Sequence, residues 1–199
     1  MFTHRQDLQF KSVPQQPDPP YARRLEDVLG GQYNEIGVAM HYMFQSWDMH
    51  VPGKYRDRVF DLGAEQVANI EMLATMIAQL LEHAPSSVLD AAVRLDPAVA
   101  AVIGGTDLQQ AIAAGAGPQA AHNPWQVASS NVGRNLATDF QTNADAELNR
   151  RMQLSHLYRL TDDADVRYLL SFLLVRAAAH QRLCRAVAAE LKEGTAAPA

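Results

Sequence analysis

The sequence predicts an all-α four-helix bundle with one long crossover at its middle. Apolar residues recur three and four apart over four long stretches, no run shows the alternation of a strand, and about 45 residues of different composition separate the second stretch from the third. At 199 residues, 48% of them hydrophobic, the chain is long enough for one well-buried domain.

Residues 1–20 read as an extended amino-terminal arm, because Pro14, Pro17, Pro19 and Pro20 oppose helix there. The arm should lie on the surface or on a partner, with Phe2, Leu8, Phe10 and Val13 as its apolar contacts. From Tyr21 to about Asp48, Leu25, Val28, Leu29, Ile36, Ala39, Met40 and Met43 mark a first helix. Pro52-Gly53 breaks the chain, and Val59, Leu62, Ile70, Leu73, Met76, Ile77, Leu80 and Leu81 carry a second from about Lys54 to His83. Residues 84–128 are rich in alanine, with Gly104-Gly105, Gly115 to Pro118 and Asn123-Pro124-Trp125, and read as the crossover. A third helix is expected over Val132 to Arg159. Thr161, followed by Asp162 and Asp163, is the expected N-cap and acidic start of a fourth, to about Glu193, with residues 194–199 as a disordered tail. Two helices, a long link and two more helices within a single domain over 21–193 is the order of a ferritin-like bundle.

Composition excludes several functions. Lys and Arg number 17 against 22 Asp and Glu, a net charge of −5, and no basic stripe suits a phosphate backbone, so no nucleic-acid partner is expected. The single cysteine, Cys184, rules out an internal disulfide and fits a reducing compartment. The first residues carry charge where a signal peptide needs an apolar core, and no run of 18 apolar residues occurs, so the expected setting is the cytoplasm with no membrane contact.

Chemistry must then come from polar residues on apolar faces. Glu35 aligns with Val28, Val38, Ala39 and Tyr42; Gln66 and Asn69 with Val59, Leu62, Ile70 and Leu73; Glu147 with Phe140, Asn143, Ala144 and Leu154; His180 with Leu173, Arg176, Ala177 and Cys184. A buried carboxylate must protonate, pair or bind a metal. Carboxylates and histidines at one level of a four-helix bundle are how dinuclear iron and manganese sites are built, with Glu-x-x-His placing two ligands on one face. Here the second helix offers Gln-x-x-Asn and the fourth Ala-x-x-His.

Several blocks now point to a family. Met1-Phe2-x-His4-Arg5 with Leu8-Gln9, Leu29 to Glu35, Tyr42 to Gln45, Lys54 to Asp57, Glu71 to Thr75, Asn123 to Trp125, Leu157-Tyr158 with Thr161 to Asp163, and Leu170 to Leu173 ending in Arg176 and His180-Gln181 occur in order over nearly the whole chain, with 33 residues from Glu147 to His180. In these blocks the chain resembles the non-haem manganese catalases. The resemblance implies a ferritin-like bundle, a buried manganese pair that disproportionates hydrogen peroxide, and hexamers in which amino-terminal segments wrap neighbours. It assigns Glu35, Glu147 and His180 as metal ligands and Tyr42 as a tyrosine hydrogen-bonding near the metals.

The chain departs from that pattern in one direction. The family's bridging glutamate falls on Gln66 and its second-helix histidine on Asn69, so two of five protein ligands are replaced, and a further carboxylate three residues before the fourth-helix histidine falls on Ala177. Glu65 and Glu71 flank the altered motif, but Glu65 points about 100° away from residue 66 and is not expected to replace a ligand. A neutral amide cannot supply the bridging carboxylate, so at most one manganese ion is expected and the site is possible with none. With no metal, Glu35 and Glu147 would share a proton and Gln66 and Asn69 would complete a polar layer. The expected function is that of a homologue with little or no peroxide disproportionation and a structural or partner role. The alternative is an active catalase, or a weaker peroxidase or oxidase, with a rebuilt mono- or dinuclear site. Met40, Met43, Met72, Met76 and Met152 read as packing, His41, His83, His122 and His156 as surface or capping residues, and Cys184 as a buried thiol.

Overall fold

The computed structural model describes residues 7–30, 34–51, 53–82, 87 and 135–196. Apart from Ser87, the expected crossover, with His122, lies outside the described residues, as do His83 and Phe2. The described residues form five helices and no strand: α1 (Pro19–Gly30), α2 (Glu35–Asp48), α3 (Gly53–Leu81), α4 (Leu136–Arg159) and α5 (Ala164–Ala196).

Four boundaries differ from the sequence reading. The first helix is two helices, because Asn34 turns to an extended backbone (φ −82°, ψ 158°) and its side chain accepts the N–H of Gly37, restarting the helix as α2. Val28 and Glu35 therefore belong to different helices. Pro19 and Pro20 open α1 instead of extending the arm: a first-turn proline has no helical N–H to lose, and Asp18 caps the turn by accepting from the Tyr21 N–H at 3.0 Å. Asp163, not Thr161, caps α5, its Oδ1 accepting from the backbone N–H of Asp165 at 2.9 Å and Val166 at 3.0 Å. Finally, α5 continues to Ala196, past the expected start of the tail.

α2 packs beside α3 and α4 beside α5, with α1 lying on α3. A Cβ on Gly63 would lie 3.3 Å from the Cβ of Tyr42, so glycine sets the close approach of α2 and α3 one turn before Gln66.

The apolar interior comes in two parts. One holds Leu25 and Leu29 of α1, Leu73 and Ile77 of α3, Leu154 of α4 and Leu169 and Leu173 of α5. The other holds Tyr42, Val59 and Leu62, Phe140 and Ala144, and Cys184 and Val187. Along every helix that spans both, the switch from one core to the other falls at the same level, and the residues there are polar: Glu35, Gln66, Asn69, Glu147, Arg150 and His180, all buried. The fold thus stacks two apolar layers on one polar layer.

The described part of the arm, from residue 7, folds onto its own chain. Phe10 stacks on Phe172 with ring centroids 4.7 Å apart and meets the edge of Tyr168 at 4.6 Å, while Ser12 Oγ donates to the Asp165 carbonyl and the Gln15 N–H to Asp163. Leu8 packs against the same core, whereas Val13 is 62% exposed. Met72 and Met76 are core residues as expected; Met152, 58% exposed, is not, because it sits on the outer face of α4.

Candidate functional site

Arg150 organises the polar layer. It lies one turn beyond Glu147 on α4, and its side chain is only 2% exposed. Nη1 donates to Glu147 Oε2 at 2.8 Å and Nη2 to Glu35 Oε1 at 2.5 Å, so one planar cation clamps the two buried carboxylates. Burial opposes its charge, but Glu35 and Glu147 outweigh that and hold it firmly protonated. The sequence reading missed this residue. Its signal was present: position 150 follows Glu147 by three and precedes Leu154 by four, on the apolar face.

The two carboxylates differ. Burial pushes Glu35 above the ordinary carboxylate range despite the Arg150 charge beside it. Burial would raise Glu147 as well, but hydrogen bonding from His180, the Arg150 charge and the Tyr42 hydroxyl outweigh it and hold the group low. Tyr42 Oη donates to Glu147 Oε1 at 2.8 Å.

The two amides form a directed chain. Arg176 Nη1 donates to Asn69 Oδ1 at 2.7 Å, Asn69 Nδ2 donates to Gln66 Oε1 at 2.7 Å, and Gln66 Nε2 donates to Glu147 Oε1 at 3.1 Å. Arg176 is fixed in turn by Gln9 of the arm at 2.5 Å and by the face of Phe172, 4.7 Å away. Each amide oxygen accepts one hydrogen bond within this chain, and the amide N–H groups point toward the carboxylates.

His180 joins the layer to the surface. Its Nε2 donates to Glu65 Oε2 at 2.9 Å, and its Nδ1 lies 3.4 Å from Glu147 Oε1. Glu65 also pairs with Arg176 Nε at 3.2 Å, and its side chain is 47% exposed. The expectation that Glu65 points away from the site holds for its helix face, yet His180 reaches out to meet it. Ala177 is buried and brings no polar group to the layer.

Beyond this layer, Asn143 Nδ2 donates to Gln45 Oε1 at 2.8 Å, and Asn143 Oδ1 lies 3.3 Å from His41 Nε2. His41 is thus a half-buried hydrogen-bonding residue, not a surface one, and burial lowers its pKa. His156 is exposed in the last turn of α4. Cys184 is buried, its thiol pushed up to about 12 by desolvation, which leaves it an inert packing group.

The family described as manganese containing catalase matches residues 1–198. The chain belongs to the manganese catalase family. It is 39% identical over 203 residues to a manganese catalase of Bacillus subtilis, covering all of this chain and 74% of that protein. It is 43% identical over 196 residues to the uncharacterized protein YjqC of Bacillus subtilis strain 168, covering 97% of this chain and 70% of that one. A crystal structure of KatB, a manganese catalase from Anabaena, superimposes with a TM-score of 0.70 at 22% identity over 96% of this chain and 81% of that one, which establishes the helical bundle fold.

Manganese is the metal of this manganese catalase family. At the middle of α3 stand the hydrogen-bonded amides of Gln66 and Asn69, and the guanidinium of Arg150 lies between Glu35 and Glu147; among the described residues no three carboxylate, imidazole or thiol groups gather as a ligand set. Glu35, Glu147 and His180 do share the layer, as do Gln66, Asn69 and Tyr42.

Proposed function

We propose that this chain is a manganese catalase homologue with little or no peroxide disproportionation, acting as a structural or partner subunit. Supporting this reading above all is the amide chain from Asn69 through Gln66 to Glu147, in which the replaced positions present N–H donors where ligands need lone pairs. Disproportionation takes two electrons from one peroxide and gives them to another, and a bridged pair of ions holds them in between. A layer without a bridging carboxylate has no means to hold two like-charged ions close together, so at most one manganese per chain is expected. Tyr42, Gln66 and Arg150 instead direct hydrogen bonds at Glu147 and fix the orientation of its carboxylate.

A homo-oligomer, as a hexamer, in the cytoplasm is the form proposed; among the described residues no helix is long and apolar enough to cross a membrane. The test is oxygen evolution from peroxide together with manganese content, measured on protein expressed with added manganese. No oxygen evolution above the protein-free rate and at most one ion per chain are expected. Two ions per chain with rapid oxygen release would overturn the proposal.

A further inference from the structure

We infer that Arg150 is this chain's own replacement for the metal: a tethered cation that bridges Glu35 and Glu147, lets the bundle form without manganese and keeps manganese out. The inference rests on the reading of the site as non-catalytic and narrows its metal content from at most one ion to none.

Three observations carry it. First, the guanidinium sits between the two carboxylates, at 2.5 Å and 2.8 Å, and donates to one oxygen of each. Second, these contacts reproduce what a divalent ion does for paired carboxylates, namely positive charge and fixed geometry between groups that would otherwise repel. Third, the remaining carboxylate oxygens are also engaged. Glu147 Oε1 accepts from Tyr42 at 2.8 Å and Gln66 at 3.1 Å, and Glu35 Oε2 lies 3.5 Å from Asn69 Nδ2. An entering ion would have to displace a cation covalently held by its own helix, which keeps the local concentration of the competitor high at any manganese level.

The substitution is also consistent with the amides. One buried Arg beside two carboxylates has no charge left for a third, so a neutral Gln66 suits the layer better than the glutamate it stands for, and Asn69 supplies the donor that Gln66 accepts. The three positions form one unit: restoring Gln66→Glu and Asn69→His while Arg150 remains should give no metal site.

The test compares the wild type with Arg150→Ala and Arg150→Lys. Manganese per chain is read by plasma mass spectrometry after dialysis, and melting temperature is read in EDTA and in excess manganese. The wild type should carry less than about a tenth of an ion per chain, with the same melting temperature in both buffers. Arg150→Ala uncovers two carboxylates and an imidazole, donors that suit manganese(II), so it should gain one ion. In EDTA its melting temperature should fall by on the order of 10 °C, since breaking a buried ion pair leaves charge unpaired, and manganese should restore most of that. Arg150→Lys keeps a cation but loses the fork and should stay free of manganese, which keeps the idea testable if the alanine variant does not fold.

A wild type holding one ion without catalase activity would overturn this inference and leave the proposed function standing. An Arg150→Ala variant that melts alike in both buffers, or an Arg150→Lys variant that gains manganese, would overturn it too. Rapid oxygen evolution by the wild type would instead remove the reading beneath it.

Discussion

Gln66→Glu restores the carboxylate expected at the bridging position, and alone it should destabilise the chain instead of activating it. Gln66 Nε2 donates to Glu147 Oε1 at 3.1 Å, so the variant would place a carboxylate oxygen against another carboxylate oxygen at about that distance. Arg150 already serves two carboxylates and has no further charge to give. The new group therefore takes up a proton and donates its O–H to Glu147, which preserves the hydrogen bond. The cost is that of protonating a carboxyl above its ordinary pKa of about 4.3, at about 1.36 kcal/mol per pH unit. This gives roughly 1 kcal/mol at pH 5, 2.3 kcal/mol at pH 6 and a ceiling near 5 kcal/mol at pH 8. The sign follows from linkage: a carboxyl raised in the folded state is harmless below its unfolded pKa, and its penalty grows as pH rises toward the folded value. Urea unfolding of wild type and variant from pH 5 to pH 8, in EDTA, measures the difference. A deficit that is flat with pH, or smaller at pH 8 than at pH 5, would refute the like-charge contact on which the estimate rests.

Two further perturbations probe the layer and the arm. Tyr42→Phe removes a buried hydroxyl that donates to Glu147 at 2.8 Å, and because Glu147 keeps Arg150 and Gln66 the loss should be about 1.5–2 kcal/mol, read as a lower urea midpoint with an unchanged slope. Phe10→Ala strips the arm of its stacking on Phe172 and its edge contact with Tyr168, and should cost about 1–2 kcal/mol while raising hydrogen exchange over residues 7–13; unchanged protection would mean that the arm is held elsewhere.

Periodicity made the helices legible, together with the residues that face the layer, because spacing alone places Glu35, Gln66, Asn69, Glu147 and His180 on apolar faces. What it hid has specific causes. The break between α1 and α2 depends on one backbone setting at Asn34 that spacing does not report, since apolar residues continue on both sides of it. Pro19 and Pro20 read as helix breakers, yet a proline breaks a helix only beyond its first turn. Arg150 went unseen because a search for lone-pair donors passes over a cation, although that cation settles how the carboxylates are satisfied. Glu65 was assigned by helix angle alone, which fixes where a side chain leaves its helix but not who comes to meet it.

Stability by itself does not account for a polar layer that has exchanged ligands for amides and a guanidinium. Buried ion pairs replaced by well-packed apolar groups are commonly neutral or stabilising by about 1–4 kcal/mol. What the layer supplies is register. Glu35 comes from α2, Gln66 and Asn69 from α3, Glu147 and Arg150 from α4 and Arg176 and His180 from α5, so sliding any helix by one turn breaks a buried hydrogen bond, whereas leucines on either side would repack with little loss. Replacing Glu35, Glu147 and Arg150 together with leucine or methionine should therefore keep or raise the urea midpoint while spoiling uniqueness. The expected signs are broadened amide resonances and more than one oligomeric species on gel filtration. A triple variant that is as well ordered and as uniform as the wild type would show that the apolar layers alone set the register, and would return the buried triad to a role in chemistry.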